Sequence, residues 1–358
     1  MEGKGQAMIK RFREIYDRLS DAGSKEIFEK RLMYSLTGDD TYLLALGNEF
    51  EKKVMESGSW REIHDKLVAS GENVAMYSAG FWGRQLLERT KDIPWKCVID
   101  ANPKSDEFCG LPLVSLDDFV KEYKDSVVVI SSRVYHEEIR DELIRRGVPV
   151  EKIVEGEVLF DLSEGAQYFD PEILPDPAGK EVFADVGCYD GLSAVSFDKW
   201  CKGNGYSYCF EPDGTNIDRI RRVLKNKGVD SYELIEKGVW SSTGRLGFVS
   251  TGNSLSHVSV SEDASDKTDG IDVVTLDEAL GDKNVTFIKM DIEGAELEAL
   301  KGAQKIIMEH KPKLAICVYH KPQDIWELPE LILKYNSDYS FYLRHYSYWD
   351  NETVLYAI

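Results

Sequence analysis

The chain has 358 residues, with 44 Lys and Arg against 64 Asp and Glu and a formal net charge of −20. That length fits two or three domains, each with its own core, and a hydrophobic fraction of 42% excludes wholesale disorder. Its longest apolar runs fall far short of the ~20 residues a membrane-spanning helix needs, and the charge disfavours nucleic-acid backbones and anionic membranes as partners.

In chain order, the N-terminus MEGKGQAMIKRFREIYD lacks the apolar core and cleavage site of a signal peptide. Residues 1–70 read as a helical arm. Ile9, Phe12, Ile15, Tyr16 and Leu19 recur at helical spacing, Gly38-Asp39-Asp40 interrupts the pattern, and Tyr42 resumes it. Nothing catalytic is legible there, and such an arm is expected to pack on a neighbour or to form a homo-oligomer.

Over residues 71–160 strands and helices alternate, with strands expected at 74–77, 96–100 and 127–131. The turn Ser78-Ala79-Gly80-Phe81-Trp82-Gly83 follows the first strand, and Asp100 ends the second. Glycine lets a backbone approach a nucleotide, and an acid about 20 residues on accepts hydrogen bonds from ribose. AMYSAGFWGRQLLER and CVIDANPKSDEFCGLPLVSLDDFV resemble small Rossmann-like domains of surface-polysaccharide and sugar-modifying proteins. Gly80, Gly83 and Asp100 are the nucleotide-site candidates that follow. Ser78 stands where a dinucleotide turn has its first glycine, which favours a domain that only presents substrate or dimerises.

Residues 161–180, with Pro171, Pro175 and Pro177, read as a linker. From 181 to 358 the alternation returns, with strands expected at 181–187, 206–213, 232–240, 285–291 and 313–320. The last two, 339–347 and 353–358, are joined too closely for a parallel crossover and must form an antiparallel hairpin. The fold class is therefore α/β: a C-terminal sheet of seven strands, five parallel plus an antiparallel terminal hairpin, behind a smaller α/β domain and the helical arm.

FADVGCYDGLSAVSF followed by CFEPD resembles the first two motifs of class I S-adenosylmethionine-dependent methyltransferases. The resemblance implies that the turn carrying Gly187, Tyr189 and Gly191 passes close to the cofactor. It also implies that Glu211 holds the ribose hydroxyls, Asp185 lies near the methionine ammonium, and Asp213 lies near adenine. VVTLDE at 273–278, FIKMDIEGAE at 287–296 and LKGA at 300–303 resemble the FkbM family of methyltransferases. That family is associated with O-methylation of hydroxyls on sugars and polyketide-type products.

The residues support such chemistry independently. Lys289, Asp291 and Glu293 alternate along a strand end, at the carboxyl edge where open α/β sheets bind ligands. Asp291 can orient a substrate hydroxyl or accept its proton and is counted with the cofactor contacts as well. Lys289 can hold Asp291 ionised or steady an incipient alkoxide. An ion pair that only rigidifies the strand, or a divalent cation on Asp291 and Glu293, are the alternatives; no metal is assigned. His320, ending a strand at the same edge, is the candidate general base as a neutral imidazole. Glu293, His257 and Ser254 are candidate substrate contacts, the last two in a polar run where a lid would sit. Tyr168 and Phe169 either close over the cofactor or pack the linker. Six cysteines without a CxxC pair fit free thiols in a reducing cytoplasm.

The expectation is a cytoplasmic O-methyltransferase acting on a sugar, glycan or related small metabolite, with no nucleic-acid partner and no membrane span. A non-catalytic sugar-nucleotide-binding or assembly protein with a vestigial methyltransferase site is the alternative.

Overall fold

The computed structural model describes residues 2–71, 73–132, 135–160, 167–249, 257–259 and 270–358. Two compact units emerge: Met1–Phe50 with Ser163–Ile358, and Glu51–Leu162. The division falls inside the helix Thr41–Glu56. It cuts across the separate arm expected over residues 1–70.

In the larger unit the seven strands are β1 (Glu181–Val186), β2 (Gly205–Phe210), β3 (Tyr232–Ile235), β4 (Phe287–Met290), β5 (Lys313–Cys317), β6 (Phe341–His345) and β7 (Thr353–Ala357). Their order is β6-β7-β5-β4-β1-β2-β3. All neighbours from β5 to β3 pair in parallel, and β7 runs antiparallel to both β5 and β6. Strands such as β4, buried at all four positions, carry apolar side chains on both faces because helices cover both. On one face Phe183, Phe197, Phe287, Phe169 and Trp200 pack ring on ring. On the other, Val186, Ile288, Met290, Leu314 and Ile316 meet Leu300, Ile307 and Leu328. The chain leaves β1 toward β2 and returns on the other side at β4, so the crevice at the carboxyl ends of β1 and β4 is the expected ligand position.

Two N-terminal helices belong to this unit. Asp21 caps the second, Ala22–Thr37, by accepting from Ser24 N, and its Gly38 C-cap is left-handed. Ile15, Leu19 and Phe28 are buried in the unit's core. Leu343 N donates to Ser24 Oγ at 2.9 Å, and Arg344 pairs with Asp21 at 2.9 Å. Part of the arm expected to pack on a neighbour or a second copy thus covers the chain's own β6.

The strand expected over 232–240 divides into β3 and Gly238–Val239. The latter joins a second sheet with Gly270–Val274, Gly244–Val249 and His257–Ser259. His257 therefore lies on a strand, its backbone opposite Val249, rather than in the expected polar loop. Ser254 lies outside the described residues. The smaller unit is a six-stranded sheet, parallel except for Glu107–Phe108 at one edge. Among the described residues, no helix is long and apolar enough to cross a membrane.

His345, on β6, faces Thr353 Oγ1 at 2.8 Å, and burial together with the nearby Arg31 guanidinium pushes its pKa down to about 3. Neutral His345 is the native form, whereas the unfolded chain protonates it below its ordinary value of 6.5. The unfolded state then binds more protons, so stability present above pH 6.5 is lost as pH falls toward 3. At pH 4.5 the loss should reach about 2–3 kcal/mol. Urea titrations at pH 7 and pH 4.5 should show wild type losing more than His345→Gln; equal losses would refute the assignment.

Candidate active site

The turn after β1 is set by backbone geometry. Gly187 and Gly191 have φ of 81° and 85°, and Tyr189 adopts φ of 50° between them. A Cβ on Gly187 would sit 2.0 Å from Asp291 O, so glycine here lets the turn pack against the chain leaving β4. Both glycines were expected to make room for a cofactor, and their first duty is to this conformation. Glu211, just beyond β2, is 5% exposed and accepts from Tyr189 N at 3.1 Å and Asp213 N at 2.8 Å. Burial raises its pKa above the ordinary carboxylate value despite those donors. Asn216 Nδ2 lies 3.4 Å from Glu211 Oε1, while the buried Asn216 Oδ1 has no hydrogen-bond partner among the described residues. An acceptor this buried calls for a donor from a ligand or water.

Three other predicted residues have different employment. Asp185 is fully buried and pairs with Lys289 Nζ at 3.2 Å, while Ser193 Oγ donates to its other oxygen. Lys289 Nζ also donates to Gly187 O at 2.5 Å, and the residue is 3% exposed. Residues 185 and 289 are register partners across β1 and β4, so this ion pair follows from strand pairing. Burial opposes the ammonium charge, but Asp185 and Asp291 outweigh it and raise the Lys289 pKa. Lys289 is thus a positioning residue for the turn that also helps to keep Asp291 ionised, as expected, rather than a group placed on an incipient alkoxide, and the Asp185 carboxylate expected near a methionine ammonium is taken up by this pair. Asp213 caps the helix Gly214–Asn226, accepting from Thr215 N at 2.9 Å.

Asp291 is the meeting point. Tyr168 OH donates to its Oδ2 at 2.8 Å and Tyr319 OH to its Oδ1 at 3.2 Å. Burial and the charge of Asp291 hold both phenols above their ordinary pKa, so they remain donors. For Asp291 itself burial pushes upward, but His320, Lys289 and the two phenols prevail and hold the carboxyl below its ordinary value. His320 Nε2 lies 3.4 Å from Asp291 Oδ1 and 3.7 Å from Glu293 Oε2, and its Nδ1 lies 3.1 Å from Glu296 Oε1. Burial alone would depress the imidazole. Glu296, Asp291 and Glu293 overcome it and lift the pKa to about 9. At neutral pH His320 therefore carries a proton, which overturns its expected role as a neutral base. Asp324 nearby is pushed to about 7 by burial and by Glu296.

Glu296 is the residue that sequence reasoning missed. The signal was present as the third acid of DIEGAE, but a helix-start acid reads as a solvated cap. In the structure it is fully buried and fixed by Ile292 N at 2.8 Å. Tyr319 was missed as well, lying inside an apolar run. In the smaller unit, both Asp100 oxygens accept backbone N–H groups, from Ala79 at 3.2 Å and Asn102 at 2.9 Å. A Cβ on Gly83 would meet Ser78 O at 2.4 Å, whereas one on Gly80 would make only an ordinary contact with Ser78 Oγ at 3.5 Å, so this turn is fastened by its own backbone at Gly83.

Residues 185–346 match the model of the methyltransferase FkbM domain. The chain carries an FkbM-family methyltransferase domain. Among solved structures it is similar to methyltransferase FkbM from Methylobacillus flagellatus KT, at 22% identity over 88% of this chain and 100% of that one, with a TM-score of 0.46. It is also similar to Aeropyrum pernix fibrillarin with natively bound S-adenosylmethionine, at 12% identity over 54% and 73% of the two chains and a TM-score of 0.34. A S-adenosylmethionine-dependent methyltransferase from Aquifex aeolicus matches at 16% identity over 55% and 93%, with a TM-score of 0.33. No curated protein matches the sequence. The match supports S-adenosylmethionine-dependent methyl transfer as the chemistry of residues 185–346. The residues present fit that cofactor: an acid at the second strand end, the orphaned Asn216 oxygen beside it, and a glycine turn at the crevice between β1 and β4.

Proposed function

We propose that the protein transfers a methyl group to a hydroxyl of a sugar, glycan or related small metabolite. The observation that carries this reading is the Asp291 carboxylate, aimed by two phenols and borne on a residue whose backbone packs against the Gly187 turn. Bound S-adenosylmethionine supplies a methyl on positive sulfur that needs no further activation. Glu211 and Asn216 Oδ1 would hold its nucleoside beside the Gly187 to Gly191 turn. Lys289, tied to Gly187 O and Asp185, keeps that turn in place. Asp291 then aligns the acceptor hydroxyl and takes its proton. A hydroxyl becomes strongly acidic as the methyl bonds to oxygen, so a carboxylate of ordinary or low pKa suffices as the acceptor. Charged His320 beside Asp291 keeps that carboxylate ionised.

Calorimetry with S-adenosylhomocysteine tests the cofactor half. Wild type should bind, and Glu211→Ala should weaken binding by about 10–100-fold, as expected when a buried charge-assisted contact is lost. Equal affinities would remove Glu211 from the site. Incubating cell extracts with labelled S-adenosylmethionine and identifying the product by mass spectrometry tests the acceptor half. A methylated amine or carbon would overturn the hydroxyl reading, and no product at all would favour the vestigial-site alternative.

A further inference from the structure

We propose that Asp291, Glu293 and His320 form a binding site for a single divalent metal ion of the Mn²⁺ or Zn²⁺ type. One ligand atom from each lies within 4.8 Å of the other two. The His320 Nε2 separations of 3.4 and 3.7 Å are close to the edge of a tetrahedron, about 3.3–3.5 Å, built on ~2.0–2.1 Å bonds.

The imidazole supplies an independent observation. The His320 side chain is 8% exposed, and its three carboxylate neighbours stand at ion-pair distance without completing a well-formed hydrogen bond to either ring nitrogen. A cation would complete the contacts of so buried a ring. Its Nε2 lies 3.4 and 3.7 Å from two carboxylate oxygens, and a cation seated among them would displace the proton that the imidazole carries in the metal-free protein. The groups behind the cluster are those that orient metal ligands. Glu296 backs Nδ1 at 3.1 Å and is itself pinned by Ile292 N, and Tyr168 and Tyr319 fix both oxygens of Asp291. With Glu296, three carboxylates converge on one imidazole, and a divalent cation would neutralise much of that charge.

The donor set selects the class of ion. One imidazole and two carboxylates suit Mn²⁺ or Zn²⁺, whereas Ca²⁺ wants six to eight oxygens and soft ions want thiolates. Two other clusters of potential ligands occur among the described residues: Asp185, Cys188 and Cys209 are wholly buried, with Asp185 already holding the Lys289 ammonium, and Asp291, Cys317 and Glu352 share Asp291 but bring no imidazole. Glu293 is 27% exposed, so the proposed site reaches solvent. A cation there would lower the pKa of a coordinated hydroxyl beside Asp291. That use rests on the acceptor reading above, but binding of the ion does not.

The test is a Mn²⁺ titration of the full-length, chelator-stripped chain, followed by electron paramagnetic resonance and thermal melts. Mn²⁺ is chosen because exposed Cys109 would compete for Zn²⁺. Wild type should bind one Mn²⁺ and melt higher with it. His320→Ala should abolish binding, and Glu296→Gln should weaken it by about 10–100-fold. Glu293→Gln changes a partly exposed residue with little risk to folding, and should weaken binding at least about tenfold and remove the thermal shift. No stoichiometric binding, or several weak Mn²⁺ ions bound alike by wild type, Glu293→Gln and His320→Ala, would overturn the proposal. S-adenosylhomocysteine affinity is measured on the same samples. Failure there, with Mn²⁺ binding intact, would sink the cofactor assignment and leave the metal site standing.

Discussion

Asp291→Asn should lower kcat/KM by about 10²–10⁴-fold while leaving affinity for S-adenosylhomocysteine nearly unchanged. The substitution keeps the shape of the side chain and removes its charge. An amide cannot take a hydroxyl proton, and it offers Tyr168 and Tyr319 one acceptor oxygen in place of two. The backbone of residue 291, which donates to Val186 O at 3.1 Å and packs on Gly187, is untouched, so the cofactor turn should survive. The measurement is a methyl-transfer assay beside calorimetry. Turnover within a few-fold of wild type would show that another group receives the proton. Loss of cofactor affinity in step with turnover would instead make Asp291 a binding residue.

Gly187→Ala should be the most damaging single methyl in the larger unit. The new Cβ would lie 2.0 Å from Asp291 O and 2.8 Å from Ile292 Cγ2, at a φ of 81° that alanine resists. Backbone on both sides is fixed by the β1 and β4 pairing, so neither can yield cheaply. Left-handed strain alone costs about 1–3 kcal/mol, and the overlap should bring the total to about 4 kcal/mol or more. For a unit of this size that corresponds to a fall in Tm of roughly 8–16 °C, together with loss of cofactor binding. A Tm within a few degrees of wild type would mean that the turn can open away from β4. By contrast, Gly80→Ala meets nothing closer than Ser78 Oγ at 3.5 Å and should be nearly neutral.

The two pieces of the Asp291 centre differ in how far the sequence foretells them. IKMDIEGAE places Asp291 and Glu293 at the end of a strand because alternation and the following glycine are local properties. It does not show that His320 will be charged, because that depends on three carboxylates brought to it, one of them the buried Glu296. Likewise the motif assigns Lys289 to Asp291, but strand register gives its ammonium to Asp185 and Gly187 O, and it acts on Asp291 only as a nearby charge.

The length and patterning of the chain were enough to determine the seven-stranded sheet, its terminal hairpin and the strand-end acids Glu211 and Asp291. Each rests on spacing, turn chemistry and loop length, which act over a few residues. Tertiary structure alone decided that helices from the first 40 residues would cover β6, that a four-stranded sheet would interrupt the unit, and what charge each site residue would hold. Those outcomes depend on groups up to about 320 positions apart in sequence, as in the Arg344 to Asp21 pair. The net charge of −20 likewise says nothing by itself about place. Folding concentrates Asp291, Glu293 and Glu296 around one imidazole, and there the excess of acid becomes a local field with a chemical use.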